Sequence, residues 1–237
     1  MPVLEGTEKL ILNGDGRDDY IYVNPDTGSV SAWINRLQVP ETGVWQWQEL
    51  GHISEGVGAT NETLQMVDLD GDGRADFTLV NKDTGEVTGW LNTGVDDVPD
   101  YHRIGVIATG ASATKNDKVF LADFTGHGRA GYVLVGQNGK AKAFVNRLQE
   151  GLDSGSPLVP RWAGPFDFAD GPDGAEQEQV RLVDMTGDGK ADYLLIGKDG
   201  KTNLYENKGT GGKYQPGEGV FLCDCMSGIL PCLDNLS

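Results

Sequence analysis

Apolar and polar residues alternate along this chain in short runs that fold back on themselves. Residues 19–24 alternate with period two, Pro25-Asp26-Thr27-Gly28 carries turn chemistry, and residues 29–35 alternate again, so the segment predicts an antiparallel hairpin. The same figure recurs at 77–81 with a turn at 82–85, at 132–136 with a turn at 137–139, and at 193–197 with a turn at 198–200. A further strand is expected at 45–50, and another runs into each following loop at 63–68, 118–123 and 179–184. Long helices are not expected.

These hairpins belong to a repeat. Gly14-Asp15-Gly16-Arg17, Gly71-Asp72-Gly73-Arg74, Gly126-His127-Gly128-Arg129 and Gly187-Asp188-Gly189-Lys190 follow one another at spacings of 57, 55 and 61. A second landmark keeps the same register, an aromatic residue followed two places later by Asn: Trp33 and Asn35, Trp90 and Asn92, Phe144 and Asn146, Tyr205 and Asn207. Four short antiparallel strands per unit make a propeller blade. The expected architecture is all-β, a β-propeller of four repeats at about 1–57, 58–112, 113–172 and 173–222, either a small closed propeller or an open part of a larger one. One blade cannot bury both of its faces, so Trp33, Trp90, Phe144 and Tyr205 are expected to pack between neighbours.

The loop of the second copy places carboxylates at its positions 1, 3, 5 and 9: Asp68, Asp70, Asp72 and Asp76. Calcium takes six to eight hard oxygens, Gly73 permits the sharp reversal, and the Arg74 carbonyl can add a ligand. Position 12 is Leu79 rather than Glu, and the residues after Asp76 read as a strand, so this is not an EF-hand. The fourth copy offers Asp184, Thr186, Asp188 and Asp192, with the Lys190 carbonyl at the place of Arg74. In the first copy Ile11 replaces the leading carboxylate and leaves Asn13, Asp15 and Asp19, a weaker set; the third has Asp123 followed by Thr125, His127 and Gly131 and is expected to be metal-free. Magnesium, with its stricter octahedron, fits these loops less well.

These loops resemble the calcium loops of FG-GAP/VCBS repeats, as found in integrin α-subunit propellers and in fungal and bacterial propeller lectins. The resemblance extends over nearly the whole chain. It implies Ca2+ at the blade loops, with ligand roles for Asp68, Asp70, Asp72 and Asp76, and an extracellular setting. The segment MPVLEGTEKL has neither the basic nor the apolar region of a secretion signal, which leaves cytoplasmic residence open.

Composition agrees with this picture and narrows the function. Gly numbers 35 of 237 residues and only 38% of the chain is hydrophobic, which suits short strands and tight turns. The formal charge of -17 repels phosphate backbones and anionic surfaces, so nucleic acid is not an expected partner, and no apolar run reaches the length of a membrane span. Cys223, Cys225 and Cys232 all fall in an irregular segment at 223–237 and cannot staple the body. No nucleophile elbow, zinc helix, P-loop or dinucleotide fingerprint occurs, and His52, His102 and His127 are scattered.

The leading expectation is a calcium-stabilised module that binds a glycan or a protein, with homo-oligomers among its states. Trp45, Trp47 and Trp162 lie outside the repeated aromatic position; packing is their expected role, and stacking on a sugar the alternative. A second reading is a motif-less enzyme whose pocket templates the cyclisation of a small molecule, pericyclase-like, by positioning alone. A third is a non-catalytic domain of a larger secreted hydrolase.

Overall fold

The computed structural model describes residues 10–38, 43–60, 63–111, 113–148, 159–209 and 221–223. Their strands form four antiparallel sheets. The first is β1 (Tyr20–Val23), β2 (Val30–Gln38) and β3 (Trp45–Ser54); the second is β4 (Leu64–Val67), β5 (Asp76–Val80), β6 (Val87–Asn92) and β7 (Tyr101–Ala108). The third is β8 (Lys118–Ala122), β9 (Gly131–Val135), β10 (Ala141–Asn146) and β11 (Trp162–Ala169), and the fourth is β12 (Val180–Val183), β13 (Asp192–Ile196), β14 (Thr202–Glu206) and β15 (Phe221–Cys223). Strand order within each sheet follows the chain, so every sheet is a meander of the kind that builds propeller blades. A single 3-10 turn at Gln177–Gln179 is the only helical element among the described residues.

The expected hairpins are present with the turns at the expected places. Two strands are longer than expected: β2 continues to Gln38 and β3 to Ser54. Gly51, at a φ of 74°, absorbs a register shift where Ala32 pairs with Gly51 and Trp33 with Glu49, so pairing continues past the irregularity. Cys223 closes β15, while Cys225 and Cys232 lie outside the described residues.

The apolar cores lie between sheets. Leu12, Ile34, Met66 and Phe77 join the first sheet to the second; Leu69, Val87, Leu121 and Tyr132 join the second to the third; Phe120, Val133, Leu182 and Tyr193 join the third to the fourth. Consequently β4 and β9 are buried on both faces, which a lone sheet could not achieve. The repeated aromatics pair across strands of their own sheets, Trp33 on Tyr20, Trp90 on Phe77, Phe144 on Tyr132 and Tyr205 on Tyr193, with centroids 5.3 to 5.7 Å apart, and Trp90, Phe144 and Tyr205 also join the cores between sheets. Trp162 packs on Tyr132 and donates its Nε1–H to the Ile107 carbonyl at 2.6 Å, whereas Trp47 is half exposed.

Polar bonds repeat at each interface. The backbone N–H groups of Ala75, Ala130 and Ala191 donate to the Ile11, Asp68 and Asp123 carbonyls of the preceding copy, at 2.6 to 2.7 Å. The Asn of the second landmark gains a role here. The side-chain amides of Asn92, Asn146 and Asn207 donate to the Leu12, Leu69 and Phe124 carbonyls at 2.8 to 2.9 Å, and also to Ala75, Ala130 and Ala191 of their own sheets. Each such amide satisfies two carbonyls where burial makes an unmet acceptor costly.

Beyond the strands, the second sheet is folded tightly on its own connection. Gly110 has a φ of 68°, and a Cβ there would stand 2.0 Å from the Thr84 carbonyl oxygen. Gly110→Ala combines a strained backbone with a backbone clash and is expected to destabilise the protein by about 3 kcal/mol. Urea unfolding of that variant beside the parent measures it.

Candidate functional site

The second loop connects β4 to β5 and is folded by alternating glycines. Gly71 and Gly73 both hold positive φ, 86° and 84°, which turns their N–H groups inward onto Asp68. Gly71 N donates to Asp68 Oδ1 at 2.6 Å and Gly73 N to Oδ2 at 2.8 Å. Asp76, almost fully buried at the start of β5, accepts from Leu69 N and Asn92 N at 2.7 Å each, tying the loop to the sheet. Carboxylate oxygens of Asp68, Asp70 and Asp76 lie within 4.8 Å of one another. Asp72 lies apart from that group in its bonding, accepting from Arg74 N at 2.8 Å and forming an ion pair with the Arg74 guanidinium.

Burial and mutual repulsion make this group a poor place for bare charge. Burial, reinforced by the neighbouring carboxylates, pushes Asp76 up to about 8 and Asp68 up to about 6, and raises Asp70. A divalent cation would reverse that preference. Three clustered hard oxygens suit calcium, so the residues fit the ion that the loop pattern implies.

Among the described residues this is the one loop that brings three carboxylates together. In the fourth, Asp184 accepts from Gly187 N and Gly189 N, and Asp192 from Met185, Thr186 and Asn207 N–H groups, while Asp188 pairs with Lys190. In the first, Asp15 pairs with Arg17 and Asp19 accepts from Leu12 N and Asn35 N. Asn13 donates to Asp15 and, at 3.0 Å, to Asp97 from the β6–β7 connection, a residue far away in sequence. In the third, Gly131 stands where the others carry the buried Asp. The Phe124 ring fills the vacated space: a Cβ on Gly131 would lie 2.2 Å from it. An apolar plug thus replaces the carboxylate.

A cavity of about 320 Å³ opens between the first and second sheets. Its walls include Phe77, Trp90 and Tyr101, with Ser54, Val57 and the exposed carboxylate of Asp100 also lining it. Trp90 stands edge-on to Phe77 with centroids 5.4 Å apart, and Tyr101 is 5.7 Å from Phe77. The Tyr101 hydroxyl is buried with no hydrogen-bond partner among the described residues, and burial, with the nearby Asp76 charge, pushes the phenol above its ordinary value. A second cavity, of about 340 Å³, is bounded by loop residues of all four copies, Ile11, Asp68, Asp123 and Asp184 among them. The cleft escaped sequence reasoning. Trp90 was legible as a packing residue, but nothing local marks Tyr101 or Asp100 as its companions.

Residues 12–79, containing the first two loops, match the FG-GAP-like repeat family. Among solved structures, an Agrocybe aegerita lectin described for specific recognition of non-reducing terminal N-acetylglucosamine is 22% identical, with a TM-score of 0.46. The match covers 84% of this chain and 48% of the lectin, so the chain spans about half of that protein's length. The complex TcdB2-TccC3 is 16% identical, with a TM-score of 0.39, over 88% of this chain and 12% of that one. No curated protein matches the chain in sequence.

Proposed function

We propose that the chain is a calcium-stabilised binding module that takes a neutral saccharide in the aromatic cleft between its first two sheets. The observation that carries this reading is the cleft itself: about 320 Å³, with Trp90 and Tyr101 in its wall and Asp100 and Ser54 as hydrogen-bonding groups. Aromatic faces suit the apolar face of a sugar ring, and a few polar groups suffice to orient its hydroxyls. A net charge of -17 favours neutral over sialylated or sulfated glycans.

Calcium enters as a structural part. Asp68, Asp70 and Asp76 would hold it in the second loop, where it would neutralise their charge. The set Asp184, Thr186, Asp188 and Asp192 would form a second, weaker site, and Asn13, Asp15 and Asp19 the weakest. Asp76 begins β5 directly beside Phe77 of the cleft wall, so metal and sugar binding should favour one another.

A glycan array probed with and without calcium tests the reading. Binding to neutral saccharides is expected, strengthened by calcium. In titration calorimetry Trp90→Ala is expected to lose at least tenfold in affinity while Trp47→Ala, on the exposed face of β3, leaves it unchanged; circular dichroism controls for folding. An array without saccharide binders, or a Trp90→Ala variant that binds like the parent, overturns it.

A further inference from the structure

Among the described residues no further sheet covers the outer face of the fourth, and part of that face is exposed, although Leu194 on it is 5% exposed. Met185 occupies the loop position of Leu12, Leu69 and Phe124, which are at most 4% exposed, yet Met185 is 57% exposed. Ile196 stands where Val23, Val80 and Val135 are at most 6% exposed, and it is 39% exposed. The strand β12 alternates between buried and half-buried residues, whereas its counterpart β4 is buried throughout. Gly14, Gly71 and Gly126 each lie beneath the Arg74, Arg129 or Lys190 side chain of the next sheet, 3.0 to 3.4 Å from where a Cβ would be. Among the described residues nothing stands within 4 Å of where a Cβ on Gly187 would be.

The internal interfaces specify what would cover this face. Each needs a basic side chain over the glycine, an amide donor for the loop carbonyl, and apolar side chains on the inner strands. At two of them a phenol also donates to the preceding turn, Tyr132 to the Gly85 carbonyl and Tyr193 to that of Gly139. The first sheet of this same chain carries the polar part of the set in register: Arg17 at the position of Arg74, Asn35 at that of Asn92, and Tyr20 at that of Tyr132. Asn35 donates to Asp18 of its own sheet at 3.1 Å, the counterpart of the bond from Asn92 to Ala75. The inter-sheet bond made by Asn92, Asn146 and Asn207 has no described counterpart at Asn35. Beside it Tyr22 is 42% exposed, where Leu79 is half-buried and Leu134 and Leu195 are at most 7% exposed.

We infer that the fourth sheet of one copy docks against the first sheet of a second copy, head to tail, repeating the internal interface. The contact is heterologous, so copies add in one direction until the arc closes. Because each copy carries a charge of -17, association strengthens with salt, opposite to a contact held by ion pairs.

Sedimentation and light scattering of the full chain test this, with two variants at exposed positions. Met185→Asp spoils the accepting face and Tyr22→Asp the donating face; both side chains are open to solvent, so folding is retained and circular dichroism verifies it. The parent is expected to assemble, more so at high salt. Each variant alone is expected to be monomeric, and an equimolar mixture to form a pair, since one good face survives on each. A monomeric parent, an unchanged assembly in either variant, or a mixture that stays monomeric overturns the inference.

Discussion

Calcium added to chelator-treated protein at slightly alkaline pH is expected to raise the melting temperature by about 5–10 °C. The figure follows from about 2.7 kcal/mol at a hundredfold excess over the dissociation constant, and about 2–4 °C per kcal/mol for a chain of this size. Its pH dependence is the sharper signature. Without metal, Asp76 titrates near 8 and Asp68 near 6 in the fold, each above the ordinary 3.8 of an exposed carboxylate. The folded state therefore holds more protons than the unfolded one between those values. Stability is fully present below about pH 4 and is lost as pH rises through the folded values, so metal-free protein should melt lower at pH 8 than at pH 5. Calcium needs the ionised carboxylates, and its stabilisation grows over the same interval. Asp70→Asn is expected to cut the calcium shift by at least half while making the metal-free protein more stable at pH 8, because one repelling charge has gone. Scanning calorimetry at both pH values decides it. A calcium shift of equal size at pH 5 and pH 8, or none, removes the metal account.

Much of the loop was legible because its geometry is local. The paired glycines at 71 and 73 and the carboxylates around them lie within nine residues, so spacing alone brings Asp68, Asp70 and Asp76 together. Hairpins were legible for the same reason, through turn residues. What escaped depends on stacking. Asn92 stood out as a landmark, but its acceptor, the Leu12 carbonyl, lies 80 residues away and is reached only when two sheets meet. The exchange of Asp for Gly131 marked the third loop as metal-free without disclosing that Phe124 fills the space. Likewise β3 outran its expected end because a left-handed Gly51 lets pairing survive a register shift. Asp72, equal to its neighbours by spacing, is drawn to Arg74, a partner that counting ligand positions does not weigh.

Gln65→Leu is expected to lower stability by about 3 kcal/mol, and the melting temperature by about 6–12 °C, although the two side chains are close in size. Gln65 sits on β4, 4% exposed, facing β8 of the next sheet. Its Nε2 donates to the Val119 carbonyl at 2.8 Å and its Oε1 accepts from Leu121 N at 2.8 Å, so one amide does for two sheets what a ladder does within one. Leucine restores the apolar volume and leaves a buried acceptor and a buried donor unmet, which cost about 1–3 kcal/mol each. Gln65→Glu separates the two bonds. An ionised carboxylate still accepts from Leu121 N but confronts the Val119 carbonyl with a second acceptor, whereas a protonated one can donate to it. The Glu variant should therefore approach the parent at pH 5 and fall towards the Leu variant at pH 8. Denaturant unfolding of the three proteins at both pH values reads this directly, and a Leu variant as stable as the parent would show that these two bonds add nothing to the joint between the second and third sheets.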